Sequence, residues 1–177
     1  MDELTLLQLT TGENLQGFPR LISHGPLLEN LYFIIMAKYG NSLKTLLRKS
    51  KKKRFSLKTS VQITMQLLTH LEHLHELGYL HNDLKPDNIL IESNNMKHES
   101  SSNLILIDFN VARLFKDRFG EHIEFKQKVA FSGNFMFASK NSFLQVQLSR
   151  RDDLLSLLYL FTYFVTGKTM WSGCMSI

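Results

Sequence analysis

The sequence predicts one α+β domain that is mainly helical and contains several short strands. A chain of 177 residues has room for a single domain with a sizeable core. Hydrophobic residues at 44% and charged residues at 21% are close to the globular average, which indicates neither disorder nor a fibrous repeat. Runs with helical spacing occur together with short runs of β-forming residues, and this mixture favours the α+β class.

The first fifty residues predict a short helix, two strands and a second short helix. The first helix should end near Gly12, since glycine tolerates the left-handed backbone that terminates many helices. After a turn at residues 17–19, strands are expected over residues 20–23 and 31–36, and the second is rich in β-forming residues. The second helix is predicted from its leucines: Leu43, Leu46 and Leu47.

The clearest predicted helix begins after Ser56, a residue type that caps helix N-termini, and ends before Gly78. Its apolar residues recur at helical spacing: Leu57, Val61, Met65, Leu68 and Leu71. Short strands are expected at Leu80 and over residues 89–91 and 104–107, with a hairpin loop between the last two. A long irregular stretch over residues 115–148 precedes a final helix over residues 152–166, and loops of that length are usually functional.

Two segments have the residue types and spacing of a phosphotransferase. They are His81-Asn82-Asp83-Leu84-Lys85-Pro86-Asp87-Asn88 and Ile107-Asp108-Phe109-Asn110. Phosphoryl transfer needs a carboxylate that orients or deprotonates the attacking hydroxyl, and Asp83 fits that role. It also needs hard oxygen ligands for magnesium, which Asn88 and Asp108 can supply. Lys85 would neutralise charge on the transferred group. A single Asp or Asn more commonly caps a turn, but the order and spacing of all of them favour catalysis.

These segments resemble the catalytic loop, H-R-D-x-K-P-x-N, and the metal motif, D-F-G, of eukaryotic protein kinases. Three later features resemble the casein kinase 1 group and occur in its order: Ser132-Gly133-Asn134 with Phe137-Ala138-Ser139, then Ser149-Arg150-Arg151-Asp152-Asp153-Leu154, then Gly167 with Trp171. The resemblance covers nearly the whole chain. It implies a protein kinase-like fold, made of a mainly helical C-terminal lobe and a remnant of the N-terminal lobe.

The resemblance also implies a reaction and further site residues. The chain would transfer the γ-phosphoryl group of ATP, with Mg²⁺, to serine or threonine hydroxyls of a protein substrate. Met36 would be the gatekeeper and Ala37, Lys38 and Tyr39 the hinge of the nucleotide site, while Asp153 would hold the catalytic loop. The alternatives are that Met36 is an ordinary core residue and that Asp153 only places a charge at a helix N-terminus. Basic residues such as Arg150 would attract an acidic substrate.

The chain departs from the family pattern in several ways. If Glu3 is the helix glutamate of the family's ion pair, residues 1–177 form a partial kinase domain without the glycine-rich loop, the strand lysine and the last helices of the C-terminal lobe. Loss of the phosphate-binding amides and lysine should weaken nucleotide binding and rate. Three asparagines also replace family residues. Asn82 replaces arginine, Asn110 replaces the glycine of D-F-G, and Asn134 replaces a threonine near Asp83. Asparagine at position 110 should be tolerated in left-handed backbone.

The net charge and the cysteine content indicate which binding partners and which cellular compartment to expect. The net charge of +5 comes mainly from one basic run over residues 48–54, which is interpreted as a solvated loop, with nucleic-acid binding as the less favoured alternative. Cys174 is the only cysteine, so a reducing compartment is expected, namely the cytoplasm or, as an alternative, the nucleus. The longest nearly apolar run, residues 154–165, is too short to span a membrane.

Two other functions are compatible with parts of the sequence. A catalytically inactive pseudokinase or scaffold would explain the missing lobe and the three asparagine substitutions. A small-molecule phosphotransferase of the aminoglycoside or choline kinase type shares the spacing of the catalytic Asp and Asn, but Lys85 and residues 149–154 argue against it. The sequence leaves the substrate and the oligomeric state open.

Overall fold

The computed structural model describes residues 2–29, 31–93 and 103–173, and over these ranges it confirms the α+β class. The helices are α1 (Asp2–Gly12), α2 (Leu43–Lys49), α3 (Leu57–Glu76), α4 (Lys140–Phe143) and α5 (Arg150–Thr166). The strands are β1 (Leu21–Leu28), β2 (Leu31–Met36), β3 (Tyr79–Leu80), β4 (Ile89–Ile91), β5 (Leu104–Leu106) and β6 (Arg113–Leu114). Cys174 and most of the predicted hairpin loop lie outside the described residues.

Helix α1 ends at Gly12 as the sequence predicts, but the left-handed residue that follows is Asn14, with φ of 51°, rather than Gly12. Asparagine also tolerates this conformation because its short side chain makes local hydrogen bonds. Strands β1 and β2 pair antiparallel, and β1 extends to Leu28, well beyond the predicted end at residue 23. Pro26 is accommodated because a two-stranded sheet has only edge strands.

Helix α3 is capped as predicted, since the Ser56 hydroxyl accepts a hydrogen bond from the Thr59 N–H. Its buried face consists of Ser60, Ile63, Leu67, His70, Leu71 and Leu74. Most of the apolar stripe noted in the sequence lies instead on the exposed side: Leu57, Val61, Met65 and Leu68 are between 41% and 64% exposed. The helix carries two apolar stripes, and spacing alone does not decide which of them packs inward.

Helices α3 and α5 pack against each other and build the main hydrophobic core. Leu67, Leu71 and Leu74 from α3 share this core with Leu157, Leu160 and Phe164 from α5. Helix α5 begins two residues earlier than predicted, and the Ser149 N–H donates to the Asp152 carboxylate at 2.8 Å. It ends at the left-handed Gly167, where φ is 74°. None of the helices in the described ranges has the length and apolar character needed to cross a membrane.

Two short strand pairings, β4 with β5 and β3 with β6, position the loops that connect these strands. β4 and β5 pair antiparallel as predicted, with Ile89 opposite Leu106. β3 pairs with β6, a two-residue strand that the sequence does not predict because it is too short for an alternating pattern. The predicted irregular stretch over residues 115–148 contains one short helix, α4. Together these pairings place residues 81–88 beside residues 107–112.

Candidate active site

The β4–β5 hairpin explains why Asn88 and Asp108 lie close together although twenty positions separate them. Asn88 immediately precedes β4, and Asp108 comes two residues after β5. The Ile107 N–H donates to the Asn88 carbonyl oxygen at 2.9 Å, which extends the antiparallel pairing beyond the strands. Any antiparallel hairpin with this register brings the two side chains to the same end of the sheet.

Asp83 is the centre of a network of side-chain hydrogen bonds. It is 7% exposed. The Asn134 amide donates to its Oδ1 at 2.9 Å, and the Asn88 amide donates to its Oδ2 at 3.1 Å. The Lys85 ammonium also contacts Oδ2. Donors from three side chains therefore fix the plane of the carboxylate.

Asn88 and Asp108 have the chemistry of magnesium ligands. Because the Asn88 Nδ2 donates to the Asp83 backbone carbonyl at 3.0 Å, the amide oxygen is the atom that remains for a cation. The Asp108 side chain is 32% exposed, and its Oδ2 lies 3.9 Å from the Lys85 ammonium. In the described part of the chain no three His, Cys, Asp or Glu side chains converge as a metal site. Magnesium held by one or two protein oxygens commonly takes its further oxygen ligands from nucleotide phosphates.

Asp153 holds the backbone of the loop that carries Asp83. This aspartate is 1% exposed, and its two oxygens accept hydrogen bonds at 2.9 Å from the N–H groups of His81 and Asn82. The His75 imidazole contacts the same carboxylate at 2.9 Å. Both N–H groups lie outside the strands and helices, and Asn82 has a positive φ of 64°. A buried carboxylate satisfies donors that would otherwise be unpaired.

His81 is fully buried and packs between the two loops of the site. Burial lowers its pKa, so the imidazole is neutral near physiological pH. Its Nδ1 accepts a hydrogen bond from the Asp83 N–H at 3.2 Å, which leaves Nε2 as the donor to the Ile107 carbonyl at 3.2 Å. The ring also contacts Phe109, with 5.4 Å between centroids. One neutral histidine thus links the two loops of the site.

Gly133 brings a third segment against the catalytic loop. It adopts φ of 98°, and a Cβ placed there would lie 2.2 Å from the Asn82 carbonyl oxygen, so only glycine permits this approach. The next residue, Asn134, contacts Asp83 and also donates to the Leu84 carbonyl at 3.1 Å. Asn134 replaces a threonine of the family and so lacks its hydroxyl. In the structure, its amide supplies a hydrogen-bond donor to Asp83.

Comparison with known proteins agrees with this geometry. The family profile of the protein kinase domain matches residues 1–176. The chain belongs to the protein kinase domain family. This assignment confirms the resemblance found in the sequence and the kinase-like α+β fold.

Among three curated relatives, two are casein kinase I homologs, which places this kinase domain close to casein kinase I. Casein kinase I homolog RAG8 of Kluyveromyces lactis is 38% identical over 123 residues, which cover 68% of this chain and 22% of the relative. Casein kinase I homolog 1 of Saccharomyces cerevisiae is 37% identical over 122 residues, with coverage of 68% and 22%. A probable serine/threonine-protein kinase of Dictyostelium discoideum is 37% identical over 139 residues, with coverage of 78% and 28%. The chain thus spans about a quarter of the length of the relatives it matches.

The residues that the kinase resemblance assigns to the nucleotide hinge lie at the end of β2. Met36 is its last residue and is 38% exposed, so it is not an ordinary core residue. The Ala37 N–H donates to the Arg20 carbonyl at 3.0 Å, and Lys38 follows in an exposed position. Four residues after Met36, the Gly40 N–H donates to the Ile91 carbonyl in β4 at 2.8 Å. Through β4 the hinge segment is connected to Asn88.

Glu3 and Asn110 contact the metal motif of the kinase domain. Burial raises the pKa of Glu3, and its carboxylate accepts a hydrogen bond from the Phe109 N–H, which lowers the pKa again in part. The Asn110 amide donates to Asp108 Oδ1 at 2.8 Å. The tolerance of asparagine for left-handed backbone is not used at position 110, because the positive φ, 70°, belongs to Asp108. Asparagine is accommodated at this glycine position through a side-chain contact instead.

Sequence reasoning missed two groups that position the site, the half-buried His75 and the buried Asp152. His75 is one of three partners of Asp153, and its only sequence signal is its position in the last turn of α3. Asp152 is 3% exposed and accepts hydrogen bonds from Ser139 at 2.7 Å and from Asn141 at 2.8 Å. Its spacing from Ser149 is typical of a capping box. The contacts with residues 139 and 141 have no such local signature.

Proposed function

We propose that the chain forms the catalytic part of an ATP-dependent protein serine/threonine kinase that uses Mg²⁺. The observation that carries this proposal is the convergence of Asp83, Lys85, Asn88 and Asp108 on one side of the β4–β5 hairpin, connected by direct contacts. Phosphoryl transfer relies mainly on positioning and charge stabilisation, and both depend on such a fixed arrangement.

In the proposed reaction, a serine or threonine hydroxyl attacks the γ-phosphorus of ATP. The bond from this phosphorus to the bridging oxygen of the β-phosphate breaks, and ADP leaves. Asp83 orients the hydroxyl and accepts its proton, while the Lys85 ammonium offsets negative charge on the transferred group. Magnesium on Asn88 and Asp108 would supply further neutralisation of the phosphates. Met36, Ala37 and Lys38 would contact the base of the nucleotide.

The substrate class and the cellular location are further predictions of this proposal. The substrate is a protein, and an acidic substrate is expected if exposed basic residues such as Arg150 attract it. The Arg150 guanidinium lies 5.1 Å from the centre of the Phe115 ring, which would hold it at a defined place on the surface. A cytoplasmic or nuclear location fits the single cysteine.

A transfer assay with labelled ATP tests the proposed function. Wild type and Asp83→Asn would be incubated with γ-labelled ATP, Mg²⁺ and casein, both as the 177-residue chain and extended by any upstream coding sequence. We expect transfer by wild type and a loss of about 10²-fold or more in Asp83→Asn, because the amide cannot accept the proton. Undiminished transfer by Asp83→Asn would remove Asp83 from the mechanism. No transfer by any form of the wild type would favour the pseudokinase alternative.

A further inference from the structure

A cleft of about 360 Å³ lies between the turn that follows α1 and the hinge segment, and we call it the hinge cleft. Its lining consists of the end of α1, the turn over residues 14–20, the hinge residues 37–39, and Glu92 and Ile105 from the β4–β5 hairpin. Clefts of this size commonly bind ligands. None of the four residues proposed for phosphoryl transfer lines it. The hinge cleft is therefore separate from the proposed catalytic centre.

Hydrogen bonds between three segments of the chain hold the walls of the hinge cleft together. The Arg20 N–H donates to the Tyr39 hydroxyl oxygen at 2.8 Å, and the Ala37 N–H donates to the Arg20 carbonyl at 3.0 Å. These two contacts join the turn to the hinge. The Leu21 N–H donates to the Thr11 hydroxyl oxygen at 2.9 Å, which joins β1 to α1. The cleft is thus formed before a ligand binds, so binding would not have to order its walls.

The hinge cleft contains polar side chains whose hydrogen-bonding capacity is unused. Four exposed residues that line it have no side-chain partner within the described ranges: Asn14, Gln16, Arg20 and Lys38. The acidic residue of the lining, Glu92, already accepts a hydrogen bond from the Asn103 amide at 2.8 Å. The cleft therefore offers two unpaired cations and two free amides against one carboxylate. This balance favours an anionic ligand, because cationic donors bind carboxylates by charge-assisted hydrogen bonds.

Apolar residues in the lining indicate that the ligand is more than a single anionic group. Phe18 and Ile105 are each 4% exposed, and the half-buried Leu15 and Ala37 line the same cleft. Apolar surface next to a few polar groups is the usual composition of a ligand site. Asparagine and glutamine amides both donate and accept, so they match the N–H and carbonyl groups of a peptide backbone. A peptide with acidic and apolar side chains fits all of these features.

We propose that the hinge cleft binds a short acidic segment of a partner protein. Carboxylates of the segment pair with Arg20 and Lys38, and an apolar side chain between them contacts the apolar lining. The segment needs no serine or threonine, since the cleft is separate from Asp83. The inference therefore goes beyond the proposed function and does not depend on it.

Anisotropy titrations with two fluorescein-labelled peptides test this inference without catalysis. One peptide has the sequence Glu-Leu-Glu-Leu-Glu, and the other has glutamine in place of each glutamate, so neither has a hydroxyl side chain that could accept phosphate. The full chain would be compared with Arg20→Gln, which removes a cation of the cleft, and with Glu92→Gln, which removes its carboxylate. Lys52→Gln is the matched control, because it removes the same charge as Arg20→Gln from an exposed residue of the basic run that does not line the cleft.

We expect the glutamate peptide to bind about five- to tenfold more tightly than the glutamine peptide. Arg20→Gln should weaken binding of the glutamate peptide about threefold or more, whereas Glu92→Gln should strengthen it about twofold because a like charge is removed. Lys52→Gln should leave it unchanged. Opposite effects of the two cleft variants exclude a general loss of folding as the cause.

No binding of the glutamate peptide, equal binding of the two peptides, or weaker binding in Glu92→Gln would overturn the inference. An equal loss in Lys52→Gln would do so too, because the peptide would then respond to overall charge or to the basic run. N-acetylglutamate that binds as tightly as the glutamate peptide would also contradict it, since the cleft would then take a single free acid. Each of these results can be read whether or not the chain transfers phosphate.

Discussion

Two aspartates of the site, Asp83 and Asp108, already accept hydrogen bonds from neighbouring side chains before any ligand binds. Asp83 accepts hydrogen bonds from three side chains, of which only Lys85 is charged. Asp108 accepts one from Asn110 at 2.8 Å. For Asp83 these contacts orient the carboxylate before a substrate arrives, which is the usual form of preorganisation. For Asp108 the contact occupies an oxygen that magnesium would need.

The Asn110→Ala substitution tests that competition. Removing the amide donor leaves Asp108 Oδ1 accessible to the cation, and position 110 has no positive φ that alanine would strain. We expect the Mg²⁺ concentration that half-saturates ATP binding to fall by roughly three- to tenfold, the equivalent of one ordinary hydrogen bond of about 1 kcal/mol. Fluorescence titration with a nucleotide analogue would measure it. An unchanged or higher Mg²⁺ requirement would show that Asn110 does not compete.

At the residue scale, the sequence identifies the groups that carry charge better than the groups that hold them. Asp83, Lys85, Asn88 and Asp108 are recognisable because their spacing is set by one loop and one hairpin. The contacts of Asn134 and His75 are not predictable from spacing, since each depends on where a distant segment packs. Asn134 is an example: the sequence shows only that it replaces a threonine, whereas in the structure its amide donates to Asp83.

The contact between α5 and the catalytic loop is the main connection between elements at the site. Asp153 in the first turn of α5 accepts from two backbone N–H groups of the loop and from His75 of α3. Asp153→Ala would leave these buried donors unpaired. We expect the free energy of unfolding to fall by about 2–5 kcal/mol, measured by urea denaturation. The control is Asp87→Ala, which removes only the exposed ion pair with Lys44 and should cost less than about 1 kcal/mol. Equal effects of the two variants would contradict this role.

A pair of adjacent leucines tests which face of α3 is structural. Leu67 is fully buried, whereas Leu68 is 50% exposed. Leu67→Ala creates a cavity in the core and should destabilise the chain by about 2–5 kcal/mol. Leu68→Ala loses only partly buried surface and should cost less than about 1 kcal/mol. Chemical denaturation of both variants would compare them, and a larger loss in Leu68→Ala would mean that the exposed stripe is the packed face.

Elements are predictable here where local signals agree, and the errors have physical causes. The caps of α2, α3 and α5 are serines, and each helix starts within two residues of its predicted position, although only Ser56 serves to predict a start. The pairing of β3 with β6 involves residues more than thirty positions apart and only two residues in each strand. No periodic pattern can reveal such a short pairing. Which apolar stripe of α3 is buried depends likewise on where α5 packs, and the sequence of α3 alone does not reveal this.

For the whole molecule, we expect the buried histidines His70 and His81 to make the free energy of unfolding depend on pH. Burial lowers the pKa of both His70 and His81 below 6.5, the value expected when they are unfolded and solvated. The unfolded chain therefore binds more protons than the folded chain as the pH falls below about 6.5, and the free energy of unfolding decreases on acidification. At higher pH both states hold neutral imidazoles, and this contribution does not change.

Urea denaturation at about pH 7.5 and about pH 5.5 would measure this decrease. His70→Gln is the informative variant, because an amide can still donate to the Leu104 carbonyl, which the His70 Nε2 contacts at 3.0 Å, but does not titrate. Its stability should fall less than that of wild type over the same range. A wild-type chain that is equally stable at both pH values would show that the buried histidines are not coupled to folding in this way.

The central claim is that Asn88 and Asp108 hold magnesium together with the phosphates of ATP, beside Asp83. Calorimetric titration of the chain with ATP, in the presence and absence of Mg²⁺, tests this claim most directly. Asp108→Asn would be compared with Asp87→Asn, since Asp87 is a carboxylate of the catalytic loop that pairs with Lys44 at 2.7 Å. The account predicts ATP binding that requires Mg²⁺, is weakened about tenfold or more in Asp108→Asn, and is unchanged in Asp87→Asn. ATP binding that is independent of Mg²⁺, or that Asp108→Asn leaves unaltered, would contradict it.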